Sequence, residues 1–222
     1  MKKAVIFDMD GLMFDTETLS VDIWIYAAEK QDYKMPREMA LSILGSNKEQ
    51  IYSTFKEYFK NNRDFDVDRY MDDYYKYMGE CLFRDGPKKK YYIEEILKYL
   101  KDNNIPVAVA SSSDRDYIDN NLEKTKLTSY INEIVSGCEV EKSKPNPDIF
   151  LKAADKLSVK AEECIVLEDS KNGILAGNSA GMTVIMVPDL YEAEESVKEK
   201  IDYIAKDLLE AKKIIENLID NK

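Results

Sequence analysis

Short apolar segments that alternate with amphipathic ones constrain the fold of this chain more than any other feature. Apolar residues at helical spacing, such as Ile93, Ile96, Leu97 and Leu100, lie between runs that read as strands. Runs rich in Val and Ile, without polar alternation, indicate strands that are covered on both faces. The pattern predicts an α/β fold with a doubly wound parallel sheet. The predicted strands are residues 4–7, 107–110, 134–135, 165–167 and 183–187.

The segment from about Thr16 to about Leu82 interrupts this alternation. It has helical patterns, is rich in aromatic residues and contains no convincing strand. Because it falls between the first predicted strand and the next helix–strand unit, we interpret it as a helical domain inserted at the edge of the sheet. Its tyrosines are expected to pack helices together.

Composition excludes several classes of function. The formal net charge of -11 argues against a nucleic-acid partner, since a polyanion would be repelled. The apolar run after Met1-Lys2-Lys3 is too short for a signal peptide, and no run reaches membrane-spanning length, so we expect a cytoplasmic protein without membrane contact. The chain has 0 histidines, which excludes a Ser-His-Asp triad and the usual His-containing zinc sites. Acid–base chemistry is therefore left to carboxylates, lysine or tyrosine.

Two predicted strands end in pairs of acidic residues. The first runs into Asp8-Met9-Asp10-Gly11, and the fourth into Glu168-Asp169. Because the carboxyl ends of parallel strands lie side by side, we expect these four carboxylates to meet above one edge of the sheet, where open α/β sheets bind ligands. Such crowding is costly unless a cation neutralises it, and Mg²⁺ prefers oxygen ligands. The sequence therefore predicts Mg²⁺ as a cofactor, bound near Asp8, Asp10, Glu168 and Asp169.

Two other segments are suited to binding phosphate. Ser111 and Ser112 follow the second strand and offer a hydroxyl and backbone N–H groups near a helix start. Lys144 lies in Lys144-Pro145-Asn146-Pro147, where the prolines stiffen the approach to the next helix. Either segment alone has an ordinary reading, as helix caps or as an exposed lysine, but together with the acids they indicate a phosphate site.

In order along the chain, these motifs resemble the four motifs of the haloacid dehalogenase (HAD) superfamily: Asp8-x-Asp10-Gly11, Ser111, Lys144-Pro145-x-Pro147 and Glu168-Asp169-Ser170. The nearest branch contains β-phosphoglucomutases and phosphoglycolate phosphatases, and Gly173 and the run Ala180-Gly181-Met182 are typical of it. The resemblance implies a Rossmann-like core, residues 1–15 and 83–222, with a helical cap at 16–82.

The resemblance also implies roles. Asp8 would be the nucleophile that carries an aspartyl-phosphate, and Asp10 the general acid and base, whose backbone carbonyl also binds the metal. Ser111 and Lys144 match phosphate-binding positions, and Glu168 and Asp169 match the acidic Mg²⁺ positions. The expected activity is a Mg²⁺-dependent phosphatase acting on a small phosphorylated metabolite.

Departures from the resemblance leave alternatives open. Ser20 occupies the position of a histidine that the mutases carry, which disfavours a sugar-phosphate mutase. Lys48, after Gly45-Ser46-Asn47, falls where mutases place a cation for a second phosphate, so the mutase remains the alternative. Tyr91-Tyr92 replaces a common Pro-Gly pair. A non-catalytic binding protein on the same fold is a third possibility, and the sequence predicts neither the substrate nor the oligomeric state.

Overall fold

A computed structural model describes residues 2–44, 46, 48–62, 64–191 and 193–220. Its centre is a six-stranded parallel sheet in the order β3-β2-β1-β4-β5-β6, in which β1 pairs with β2 on one side and β4 on the other. This confirms the predicted fold class. The strands are β1 Ala4–Phe7, β2 Val107–Ser111, β3 Glu133–Ser136, β4 Cys164–Glu168, β5 Thr183–Met186 and β6 Tyr203–Ile204.

Ten α-helices are present in the part of the chain that the structure describes. Four of them lie between β1 and β2: α1 Thr16–Glu29, α2 Arg37–Leu41, α3 Lys48–Tyr58 and α4 Val67–Asp85. The other six are α5 Ile93–Asp102, α6 Arg115–Lys124, α7 Asp148–Lys156, α8 Lys171–Ser179, α9 Glu195–Lys198 and α10 Leu208–Asp220. None of the helices within the described ranges is both long and apolar enough to serve as a membrane span.

Alternate strand residues supply two separate apolar layers. Val5 and Phe7 join one cluster, which includes Leu97 of α5, and Ala4 and Ile6 join another on the opposite face. Successive side chains of a strand point to opposite faces, so a strand that is covered on both sides must be apolar at every position. This explains why the strands read as continuous apolar runs.

Helices α1 to α4 have an apolar cluster of their own, which we call the cap cluster. The ring of Trp24 stacks on Tyr74 with 3.4 Å between centroids, and the hydroxyl of Tyr70 donates to the carbonyl of Trp24 at 3.0 Å. Tyr70 and Tyr74 thus pack helices together as expected, whereas Tyr75 and Tyr58 are about two-fifths exposed, at 40% and 41%. Helix α4 continues to Asp85, beyond the expected limit of the cap at residue 82.

The two chain segments that join the cap helices to the sheet run next to each other. The N–H of Lys90 donates to the carbonyl of Met13 at 2.9 Å, and the N–H of Asp15 donates to the carbonyl of Lys88 at 2.8 Å. An antiparallel bridge between Phe14 and Lys89 lies between these bonds. We call these paired segments, 13–15 and 88–90, the linker ribbon.

Tyr92 shows how the chain accommodates the replacement of Pro-Gly. It precedes α5 with φ +69°, in the left-handed region that glycine adopts most easily. Tyrosine adopts the same backbone conformation here, with its ring partly exposed.

Candidate active site

Lys144 lies in a buried position between two carboxylates. Its Nζ is 2.5 Å from Asp8 Oδ1 and 2.7 Å from Glu168 Oε1, and it donates to the carbonyl of Ala110 at 3.1 Å. Lys144 is 8% exposed, Asp8 7% and Glu168 0%. An ammonium group has three donors, so Lys144 is fully hydrogen-bonded and held in one place. The sheet order explains this meeting, since Asp8 follows β1, Glu168 ends β4 and Ala110 is part of β2.

The second oxygen of Glu168 is also fully used. Glu168 Oε2 accepts hydrogen bonds from the backbone N–H groups of Asp169 and Ser170, both at 3.0 Å, and from Ser170 Oγ at 2.9 Å. Gly173 leaves the space for this carboxylate, because a Cβ atom there would lie 1.7 Å from Glu168 Oε1. Glu168 therefore anchors Lys144 to the start of α8.

Asp169 completes a group of three buried acids with Asp8 and Glu168, whose oxygens lie within 4.8 Å of one another. Asp169 Oδ1 is buried and has no hydrogen-bond partner among the described residues. Its other oxygen lies against Gly11, where φ is +83° and a Cβ atom would approach Oδ2 to 2.1 Å. An unpartnered buried carboxylate oxygen beside two other acids fits a hard divalent cation, which takes oxygen ligands.

The raised pKa values of two of these acids also favour a bound cation. Burial and the charge of Glu168 raise the pKa of Asp8 well above its ordinary value, although Lys144 opposes this. Burial, followed by the charges of Glu168 and Asp8, raises the pKa of Asp169. One lysine does not neutralise three buried carboxylates, so a cation would be bound favourably here.

The side chain of Asp10 faces a different set of partners. Its Oδ1 accepts hydrogen bonds from Thr16 Oγ1 at 2.8 Å and from Tyr117 Oη at 3.0 Å. Its Oδ2 accepts from Ser113 Oγ at 2.9 Å and, weakly, from Ser111 Oγ at 3.5 Å. The buried acids that could hold a metal ion are thus Asp8, Glu168 and Asp169, and the expected metal contact of Asp10 through its backbone carbonyl remains a prediction.

The two predicted phosphate serines differ in position. Ser111 is the last residue of β2, is 1% exposed, and its Oγ accepts the N–H of Ser113 at 3.1 Å. Ser112 is exposed, and the serine that turns towards Asp10 is Ser113. The phosphate-binding roles of Ser111, Ser112 and Lys144 remain predictions.

Lys48 is the first residue of α3 and is exposed. Its Nζ lies 4.8 Å from the centre of the Tyr75 ring. A cavity of about 320 Å³ separates α3 from α4, and its lining residues are Lys48, Glu49, Tyr52, Asp68, Met71, Asp72 and Tyr75. Gly45 and Asn47, which were part of the expected motif, lie outside the described residues. Contact between Lys48 and a substrate stays a prediction.

Ser20, which the resemblance aligns with a mutase histidine, lies in α1. Its Oγ lies 2.8 Å from the hydroxyl of Tyr74, so the two share a hydrogen bond. Nearby, burial and the charges of Asp10 and Asp189 raise the pKa of Glu17 to about 8.

Sequence reasoning missed four residues around Asp10: Thr16, Glu17, Ser113 and Tyr117. Ser113 directly follows Ser111 and Ser112 in the sequence, so the three consecutive serines are a usable signal. Tyr117 lies in α6, outside every motif, and nothing in its local sequence distinguishes it from other helix tyrosines.

Comparison with known proteins agrees with this arrangement. The family of haloacid dehalogenase-like hydrolases matches residues 5–187. A probable pseudouridine-5'-phosphatase of Drosophila melanogaster is 32% identical over 209 residues, covering 90% of this chain and 87% of its own length. A phosphorylated carbohydrates phosphatase of Thermotoga maritima is 29% identical over 183 residues, covering 81% of this chain and 82% of its own length.

A solved structure with the same fold is that of β-phosphoglucomutase from Clostridium difficile. It has a TM-score of 0.79 and 25% sequence identity, and the alignment covers 99% of this chain and 98% of that one. Because the family match spans residues 5–187, which contain every motif described above, the chain belongs to the haloacid dehalogenase-like hydrolase family.

Proposed function

We propose that this protein is a Mg²⁺-dependent phosphatase that hydrolyses a small phosphorylated metabolite through an aspartyl-phosphate on Asp8. The observation that carries the proposal is the position of Asp8, whose buried carboxylate accepts a hydrogen bond from Lys144 and belongs to the same group of acids as Asp169 with its unpartnered Oδ1. The relatives named as phosphatases support the same reaction class.

In the first half-reaction, a carboxylate oxygen of Asp8 bonds to phosphorus while the bond from phosphorus to the ester oxygen breaks. A proton from Asp10 moves to that leaving oxygen, so the products are the alcohol, aspartyl-phosphate and ionised Asp10. In the second, Asp10 takes a proton from water as the water oxygen bonds to phosphorus and the bond to Asp8 breaks. Inorganic phosphate leaves, and Asp10 is protonated again.

The surrounding residues hold these groups and balance charge. Lys144 is fixed by Glu168 and supplies positive charge beside the phosphate, which phosphoryl transfer requires. Asp8 and Asp169, with Glu168 beside them, would hold Mg²⁺. The ion would supply further positive charge to the phosphate oxygens.

The mutase alternative differs only in the acceptor, since a mutase returns the phosphoryl group to a sugar hydroxyl. The similarity to a β-phosphoglucomutase over nearly the whole chain favours it. Ser20 argues against it, because its hydroxyl is tied to Tyr74 and the chain has 0 histidines to serve in its place. A non-catalytic role is the least favoured, since Asp8, Asp10, Lys144 and Asp169 are all present.

The test is phosphate release from a panel of phosphorylated sugars, glycerol phosphates, phosphoglycolate and nucleotides. We expect release to require Mg²⁺, to stop in excess EDTA, and to fall by roughly a thousandfold or more in Asp8→Asn, because an amide cannot form the aspartyl-phosphate. Full activity of folded Asp8→Asn would refute the proposal. Formation of glucose 6-phosphate from β-glucose 1-phosphate, in excess over phosphate release, would favour the mutase.

A further inference from the structure

Tyr117 connects the cap, the sheet domain and Asp10. It lies in the first turn of α6, and its ring packs against the apolar cluster around Val5 and Leu97. The same ring packs against the cap cluster of α1 to α4. Its hydroxyl donates to Asp10 Oδ1 at 3.0 Å. Tyr117 is therefore placed at the boundary between the two parts of the molecule, with its polar end on a candidate catalytic carboxylate.

Asp10 Oδ1 accepts one hydrogen bond from a hydroxyl group on each side of this boundary. Thr16, the first residue of α1, donates from the cap at 2.8 Å, and Tyr117 donates from the sheet domain. The orientation of the Asp10 carboxylate thus depends on groups from both parts.

The side chain of Asp10 is surrounded by hydroxyl groups. An ionised carboxylate only accepts hydrogen bonds, and Tyr117, Thr16 and Ser113 are all placed to donate to it. Burial and the charge of Asp10 raise the pKa of Tyr117, so the phenol stays a donor. The hydroxyls therefore fix the orientation of the Asp10 carboxylate.

We infer that Tyr117 is a positioning residue: its hydroxyl orients the Asp10 carboxylate for proton transfer to the leaving group. This inference rests on the proposed function, since it concerns the proton transfer assigned there to Asp10. Tyr117 does not need to touch the substrate. Its contribution is largest for substrates whose leaving oxygen is strongly basic and small for those that leave without a proton.

The experiment compares two probes, 4-nitrophenyl phosphate and phenyl phosphate, whose leaving groups differ in basicity. Tyr117→Phe keeps the ring and removes only the hydroxyl. We expect kcat/KM for phenyl phosphate to fall by roughly tenfold, as for loss of a hydrogen bond to a charged group, and kcat/KM for 4-nitrophenyl phosphate to fall by less than about threefold. Asp10→Asn should also lose more kcat/KM on phenyl phosphate than on 4-nitrophenyl phosphate, and the difference between the two probes should be larger than in Tyr117→Phe.

The matched control is Tyr130→Phe, another partly buried tyrosine of the sheet domain, whose ring packs on the same cluster without touching Asp10. We expect Tyr130→Phe to keep the wild-type kcat/KM on both probes. Melting temperature should change little in either variant, since both retain the ring. An equal loss on both probes, or no loss, in Tyr117→Phe would overturn the inference while Asp8→Asn still tests the proposed function. A wild-type enzyme inert on both probes and on the whole panel of phosphorylated metabolites would overturn the proposed function and this inference with it.

Discussion

Lys144 links stability to chemistry at the scale of a single residue. Burial lowers the pKa of an ammonium group, but here the charges of Asp8 and Glu168 outweigh that effect and raise the pKa of Lys144. The lysine therefore stays charged inside the protein. Removing its charge would leave two buried carboxylates without their partner.

We expect Lys144→Met to lower the free energy of unfolding by about 3 to 5 kcal/mol, the usual cost of breaking a buried ion pair from one side. The variant should also lose phosphate release. Urea unfolding in the absence of Mg²⁺ measures the first effect, with Lys142→Met as the matched control, because Lys142 is an exposed lysine two positions away. The control should change stability by less than about 0.5 kcal/mol. Wild-type stability of Lys144→Met would contradict this account of the site.

At the scale of elements, the strand ends could be predicted from sequence and the side-chain orientations could not. Asp8 and Glu168 were placed correctly at the ends of β1 and β4 because apolar runs define buried strands. Strand β6 was missed since its two residues, Tyr203 and Ile204, are exposed and form no apolar run. Two partners of Asp10, Thr16 and Tyr117, were missed for a different reason, because they come from α1 and α6 and meet only after the elements pack.

The start of α8 is where an element most directly shapes the site. Gly173 lies in its first turn, and any side chain there would occupy the space of the Glu168 carboxylate. Glu168 in turn holds Lys144. The size of one helical residue therefore sets the position of the lysine.

We expect Gly173→Ala to destabilise the protein by about 2 kcal/mol or more through overpacking, and to reduce kcat by displacing Glu168 and Lys144. Gly79→Ala is the matched control, since Gly79 lies within α4 with nothing within 4 Å of an added Cβ atom. That change should instead stabilise the protein by about 0.5 to 1 kcal/mol, from helix propensity. Thermal unfolding of both variants tests this expectation. Shifts of the two melting temperatures in the same direction would contradict it.

At the scale of the whole molecule, negative charge is the dominant electrostatic property. The chain carries a formal net charge of -11, and three of its carboxylates are gathered in one buried group. Self-repulsion of this kind destabilises a compact state, and an ion that binds only the folded form opposes it. Stability should therefore depend on divalent cations, independently of turnover.

We expect Mg²⁺ at ten times its Kd to stabilise the folded protein by about 1.4 kcal/mol, which corresponds to a rise in Tm of roughly 3 to 6 °C. In Asp169→Asn the rise should be much smaller, because the unpartnered oxygen no longer belongs to a carboxylate. Without Mg²⁺, Asp169→Asn should be at least as stable as the wild type, since burial and like charges raise the pKa of Asp169 and make its ionised form costly. Equal Mg²⁺ shifts in the two proteins would place the ion elsewhere.

The linker ribbon joins the cap helices to the sheet domain through two hydrogen-bonded segments instead of two separate chains. Two single chains could twist and slide independently, but the bonds from Lys90 to Met13 and from Asp15 to Lys88 fasten them into one band. Such a band bends across its flat side more easily than it shears along its length. A cap carried on it would rotate about the ribbon as a single hinge. Thr16, the residue next to that hinge on the α1 side, donates a hydrogen bond to Asp10.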